Sequence, residues 1–195
     1  MKRVEINEII FKKLIDGVKR CVATDDSRPI LQYIQIKVKT DTITAYALDG
    51  YRAGRVEIKN ACPIDEDFTC FIKPFTVKTS KNGINTVVIE QSDKKTFVEV
   101  MTGYGVLRYG FDIPNDKFVD LEKVYAAARP HDRELGLRPR DVIDALKALN
   151  GMDYYGGGYR AVFEIKENNK EAFIIRAKNE DITNEQLILP VRLGD

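Results

Sequence analysis

The chain is poor in the residues that build reactive or covalently stapled sites. One histidine, His131, occurs in 195 residues, so a histidine metal cage cannot be assembled within one chain. No Ser-His-Asp or metal-ligand spacing accompanies it, and neither a catalytic centre nor a cofactor nor a bound metal is expected. The cysteines Cys21, Cys62 and Cys70 contain no CxxC pair; a count this sparse and odd fits a reducing cytoplasm better than a disulfide framework. No apolar run approaches the roughly 18 residues that a membrane span needs. The opening Met1-Lys2-Arg3-Val4-Glu5 has no apolar signal region behind it. A cytoplasmic protein without a membrane partner is therefore expected. Charge of one sign is also missing: the formal net charge is +1, so any nucleic-acid-binding surface must be a local patch. The acidic pairs Asp25-Asp26 and Glu180-Asp181 fall at expected turns, where carboxylates face water. Tyr154-Tyr155-Gly156-Gly157-Gly158-Tyr159 lacks the lysine and helix of a phosphate loop and reads as a mobile loop.

What is present is organised around residues 28–54. Tyr33-Ile34-Gln35-Ile36-Lys37-Val38 alternates with period two, Thr40-Asp41 breaks it, and a second strand runs from Ile43 to Ala47. That pattern predicts an antiparallel hairpin. Asp49-Gly50 supplies turn chemistry at its far end and presents Tyr51 and Arg52 side by side.

Before the hairpin, Val4-Glu5-Ile6 reads as a strand and Asn7 as an N-cap. Ile10, Phe11, Leu14, Ile15, Val18, Cys21 and Val22 then recur at helical spacing, opposite Lys12, Lys13, Asp16, Lys19 and Arg20. After it, strands are expected at 55–58, 68–72, 86–90, 96–101 and 106–111, with a short helix or turn opened by Pro74 and carrying Lys78 and Lys81. Residues 113–128 read as irregular. A short strand at 134–137 precedes a helix that begins near Arg138-Pro139-Arg140, whose apolar face is Val142, Ala145, Leu146 and Leu149. Strands at 161–166, 172–177 and 186–192 follow. A strand, a helix and several antiparallel strands thus recur three times, with a period of roughly 65 residues. The expected architecture is α+β, with residues 1–125 as a complete domain of two half-repeats and 126–195 as a half-domain.

Several motifs of this sequence resemble the bacterial DNA polymerase III β subunit, the sliding clamp. Arg28-Pro29-Ile30-Leu31, read as a strand, leads to Ala47-Leu48-Asp49-Gly50-Tyr51-Arg52-Ala53. The order is similar to that of the middle clamp domain, where the second motif usually reads Ala-Thr-Asp-Gly-His-Arg-Leu. Leu48, Tyr51 and Ala53 depart from it. Lys117-Phe118-Val119-Asp120-Leu121-Glu122-Lys123-Val124 resembles the link into the last clamp domain, with Val119 in place of a proline. Leu187-Ile188-Leu189-Pro190-Val191-Arg192-Leu193 resembles the closing Met-Pro-Met-Arg-Leu. A complete first domain and the front half of the last have no counterpart.

The resemblance implies two surfaces. One is a peptide pocket with a wall of Leu31, Leu48, Gly50, Tyr51, Arg52 and Ala53, a floor of Val119 and Val124, and a closing segment of Leu187, Leu189, Pro190, Val191, Arg192 and Leu193. From pattern alone the same positions read as strand core, with Arg52 a surface cation. The other is a DNA-facing set of helices carrying Lys12, Lys13, Lys19, Arg20, Lys78, Lys81, Arg138, Arg140 and Lys147, which would meet phosphates without reading bases. Its bland alternative is a set of solvated helix faces. The implied partners are double-stranded DNA, a DNA polymerase or other clamp-binding peptides, and further copies of the chain, since three half-domains would need four chains to complete a ring of about twelve. A non-encircling peptide-binding module is the rival expectation, and a small DNA-modifying enzyme is disfavoured.

Overall fold

A computed structural model of the chain describes residues 2–76, 85–127, 137–150, 161–165, 172–178, 183–188 and 190. The chain divides into two compact units, Met1–Tyr125 and Ala126–Asp195.

The first unit opens with strand β1 (Lys2–Asn7), which runs directly into helix α1 (Glu8–Val18). Asn7 caps the helix: its Oδ1 accepts from the backbone N–H of Ile9 at 2.9 Å and of Ile10 at 3.4 Å, satisfying donors that the first turn would otherwise leave bare. Strands β2 (Ile34–Val38), β3 (Thr42–Leu48), β4 (Ala53–Lys59) and β5 (Phe68–Ile72) form an antiparallel sheet in the order β4-β3-β2-β5. Strands β6 (Thr86–Gln91), β7 (Lys95–Thr102) and β8 (Gly105–Asp112) join β1 in a second sheet, ordered β1-β6-β7-β8.

Both sheets and α1 contribute to one apolar core. Phe11, Leu14, Ile15 and Val18 enter it from the helix; Ile36, Ile43 and Ala45 from one sheet; Val4, Ile89 and Val98 from the other. Strand alternation separates this core from a second one. Ile43, Ala45 and Ala47 of β3 face the first, whereas Tyr46 and Leu48 face a cluster containing Ile30, Leu31, Phe118 and Leu121. Helix and sheet approach closely where side chains are absent: a Cβ on Gly17 would lie 2.5 Å from Val56 Cγ2, and one on Gly54 would lie 3.3 Å from the Val18 Cα.

In the second unit, strands β9 (Val162–Glu164), β10 (Phe173–Lys178) and β11 (Thr183–Ile188) form a sheet ordered β11-β10-β9, and helix α3 (Pro139–Asn150) packs on β10 and β11. Ala145, Phe173, Ile175 and Ile188 form its core, with Leu137 and Val142 alongside. The α+β architecture of antiparallel sheets, each unit carrying helix, agrees with the sequence reading.

Four local expectations are corrected. Residues 121–127, read as irregular, form helix α2 (Leu121–Ala127), which drives Leu121 and Tyr125, four residues apart, toward the second cluster. Arg28-Pro29-Ile30-Leu31 is not a strand: Pro29–Gln32 is a single 3₁₀ turn, because Pro29 removes a ladder donor and fixes φ in the helical range. Ile10 is 43% exposed and lies outside the buried face of α1, which Glu8 enters instead, paired to Asn85 Nδ2 at 2.8 Å. Leu146 is exposed although Val142 and Ala145 of the same helix pack inward. The helix expected after Pro74 falls mainly on residues 77–84, and the strand expected at 134–137 mainly on 134–136, both outside the described residues; Pro74–Thr76 itself has no regular structure.

Candidate peptide and nucleic-acid surfaces

The β3–β4 connection is a closed four-residue turn. Gly50 adopts φ +96°, a conformation that other residues reach at a steric cost. Asp49 ties the loop from within: its Oδ1 accepts from the backbone N–H of both Tyr51 and Arg52 at 3.0 Å, and its Oδ2 accepts from Arg52 Nε at 2.7 Å. The Asp49 backbone N–H donates to the Arg52 carbonyl at 3.2 Å. The Arg52 guanidinium, together with the two backbone donors, pulls the Asp49 carboxyl down to about 2. Asp49 is accordingly sheltered, its side chain 15% exposed, while the Arg52 side chain is 66% exposed. Tyr51 is 98% exposed. Asp49 was legible only as a turn former; its role in holding Arg52 follows from the carboxylate's two oxygens facing different donors.

Beneath this turn, Leu48 and Ala53 pair across β3 and β4 and lie partly buried at the margin of the second cluster. Leu31 is 5% exposed and belongs to the interior of that cluster. Helix α2 closes it from outside. Tyr125 donates its hydroxyl to the Ala53 carbonyl at 3.0 Å, and Glu122 pairs with Lys37 at 3.0 Å and Lys39 at 3.5 Å. The Lys37 ammonium, then Lys39, lowers the Glu122 carboxyl below its usual range. Val119 and Val124 are exposed, and neither belongs to the cluster that Leu121 and Tyr125 enter. Leu187 and Pro190 belong to the second unit, the former exposed and the latter half-buried. Leu189, Val191, Arg192 and Leu193 lie outside the described residues.

The cations divide into paired and free. Lys12 and Lys19 both bind Asp16, Lys19 at 2.6 Å, and hold its carboxyl below the usual range. Lys13 and Arg20 are exposed with no ion-pair partner among the described residues. On α3, Asp144 lies 3.7 Å from Arg140 and 4.0 Å from Lys147. Arg138 is exposed just before that helix, and Lys78 and Lys81 lie outside the described residues. A cavity of about 460 Å³ elsewhere, lined by Arg3, Glu5, Cys62 and Ile64, contains none of the expected site residues. No group of three metal-ligating side chains occurs among the described residues, and no helix there is long and apolar enough to cross a membrane.

No protein-family model and no curated protein matches the chain. Solved structures do. A protein of Eubacterium rectale described as a DNA polymerase III beta subunit superposes with a TM-score of 0.81 at 11% identity, covering 100% of this chain and 52% of that one. The DNA polymerase sliding clamp of Bacillus subtilis gives 0.75 at 17% identity, covering 96% of this chain and 49% of that one. The DNA polymerase III beta subunit of Thermotoga maritima gives 0.71 at 14% identity, covering 100% and 52%. The chain therefore has the fold of sliding clamps and spans about half the length of the clamp structures it matches.

Proposed function

We propose that this chain is a clamp-like accessory of DNA synthesis, which holds duplex DNA loosely and a polymerase peptide at a surface turn. The observation that carries this reading is the fold likeness over nearly the whole chain to proteins that are sliding clamps by name. Two features support it. Lys13 and Arg20 stand exposed and unpaired on and just after α1, among the described residues, and cations so placed meet phosphates without sequence preference. The turn at 49–52 offers an exposed aromatic and an arginine above partly buried Leu48 and Ala53, a combination that suits a peptide anchor. The proposed peptide surface retains Leu31, Leu48, Gly50, Tyr51, Arg52, Ala53, Val119 and Val124, with Leu31 acting from the interior as support. In the second unit, taken by itself, Leu187 and Pro190 are proposed as peptide-contacting positions and Arg138, Arg140 and Lys147 as phosphate-contacting ones. The protein itself performs no chemical step in this account; the polymerase does.

Primer extension on primed circular DNA tests the reading. Adding the chain to its cognate polymerase should lengthen products at low polymerase concentration and leave the rate of single-nucleotide addition unchanged. Unchanged product length across a range of chain concentrations would overturn it.

A second reading, a non-encircling module that competes for clamp-binding peptides, is favoured by one observation: Asp16 and Asp144 offset Lys12, Lys19, Arg140 and Lys147. In the same assay such a module shortens the products made with a resident clamp.

A further inference from the structure

The cavity of about 460 Å³ lies along the free edge of a sheet. Arg3, Val4 and Glu5 of β1 form one wall, and Cys62, Pro63, Ile64 and Asp65, from the connection between β4 and β5, form the other. Its volume is that of an ordinary ligand site. β1 is the outermost strand of its sheet and pairs only with β6 among the described residues. The register settles which way its backbone faces. Glu8 donates its N–H to the Asn85 carbonyl at 3.1 Å, one step beyond the Asn7–Thr86 pair. Bonded residues alternate in an antiparallel ladder, so Val4 and Ile6 are the ones that bond to β6. Arg3 and Glu5 therefore turn their N–H and C=O groups away from β6, to the open edge. Among the described residues no backbone group bonds to them there.

An edge with unanswered N–H and C=O groups is a template for an extended chain. Side chains narrow the choice of chain. Val4 is 1% exposed and Ile64 packs against the first core, so the inner side of the trough is apolar. The outer side carries charge. Arg3 meets Glu5 at 2.8 Å and Glu90 at 3.9 Å, so two carboxylates already face one guanidinium. Asp65 adds a carboxylate to the opposite wall. The excess is negative, which disfavours an anionic occupant and suits a cationic one. A strand laid against β1 alternates as β1 does: residues opposite Val4 point inward, and those opposite Arg3 and Glu5 point outward.

We infer that the trough between β1 and residues 62–65 takes an extended segment of a partner protein, added antiparallel to β1, with a cation opposite Glu5 and an apolar side chain on each side of it. No residue of the 49–52 turn lines this trough, and the inference stands independently of the clamp-like reading.

The test titrates the full chain with fluorescein-labelled, capped pentapeptides of sequence Thr-Val-Lys-Val-Thr, read by anisotropy. The lysine peptide should bind about three- to tenfold more tightly than its glutamine counterpart, the range of a partly exposed ion pair. Glu5→Gln should remove that preference. A methyl on the lysine amide nitrogen, which faces β1 in antiparallel pairing, should abolish binding; a methyl on the first valine amide nitrogen, which faces away, should be tolerated. Alkylation of Cys62 locates the peptide: at about twice its Kd, the lysine peptide should slow that reaction about threefold by mass action and leave Cys21 unaffected. No binding up to about 1 mM peptide overturns the inference. So does a lysine-methylated peptide that binds as well as the valine-methylated one. Equal affinity for the lysine and glutamine peptides, or a preference that survives Glu5→Gln, overturns it as well. Protection of Cys21, which abuts Gly54 of β4, in place of Cys62 puts the peptide elsewhere and also overturns it.

Discussion

At the residue scale, Asp49 couples the surface turn to protonation. Its carboxyl is held down to about 2, against 3.8 ordinarily, so folding favours the ionised form. The stabilisation it lends is complete above the ordinary value and disappears as pH falls toward the depressed one. Thermal unfolding should therefore find Asp49→Asn less stable than the parent at about pH 6, with the gap closing by about pH 2. A gap unchanged across that range would show that the carboxylate is not the stabilising group. Burial acts on Cys70 in the opposite sense, pushing its thiol up to about 12. Cys70 should resist alkylation in the folded chain at neutral pH while the half-buried Cys21 and Cys62 react first, as peptide mass mapping would record. The Asp-Gly pair announced the turn because only a few residue types supply both an acceptor oxygen and positive φ. That Asp49 would engage Arg52 was not announced, since a guanidinium three residues away can equally point to water.

At the element scale, the strands were the most legible part. Alternation in 34–38 and 43–47 reports a sheet buried on both sides of β3, one face on α1 and the other on Tyr46 and its neighbours. Helix α2 was not legible. It is seven residues long and turns only Leu121 and Tyr125 inward, too few repeats to register as a period. Its docking is nevertheless specific. Leu121→Ala should cost about 2–5 kcal/mol in chemical unfolding, the usual cost of emptying a buried leucine site. Val124→Ala, at an exposed position of the same helix, should stay within about 0.5 kcal/mol. Similar losses for the two would mean that the helix does not dock as described. The contact of α1 with β4 depends on a missing side chain at Gly54, where any Cβ meets the backbone of Val18. Gly54→Val should destabilise by about 1–3 kcal/mol through overpacking, read in the same experiment.

At the scale of the whole molecule, the clamp-like fold and its α+β class were readable from the order of motifs along the chain, although overall identity to the clamp structures is only 11–17%. How many of the helix cations stand unpaired was not, because sequence spacing counts cations without their partners. Lys12 and Lys19 share a helical face with Lys13, yet Asp16 engages both. Within the first unit, the proposed phosphate contact therefore rests chiefly on Lys13 and Arg20. The chain spans about half of each clamp chain it matches.

Loose, sequence-blind attraction of duplex DNA to the α1 surface is what the proposed function requires before anything else. Fluorescence anisotropy with a labelled random duplex over about 50–200 mM salt measures it. Weak binding is predicted, with a log–log salt slope that becomes shallower by about 1–2 when Lys13 and Arg20 are both replaced by alanine, about one unit for each phosphate no longer neutralised. A binding constant indifferent to salt, or a slope unaltered by the double substitution, would contradict it.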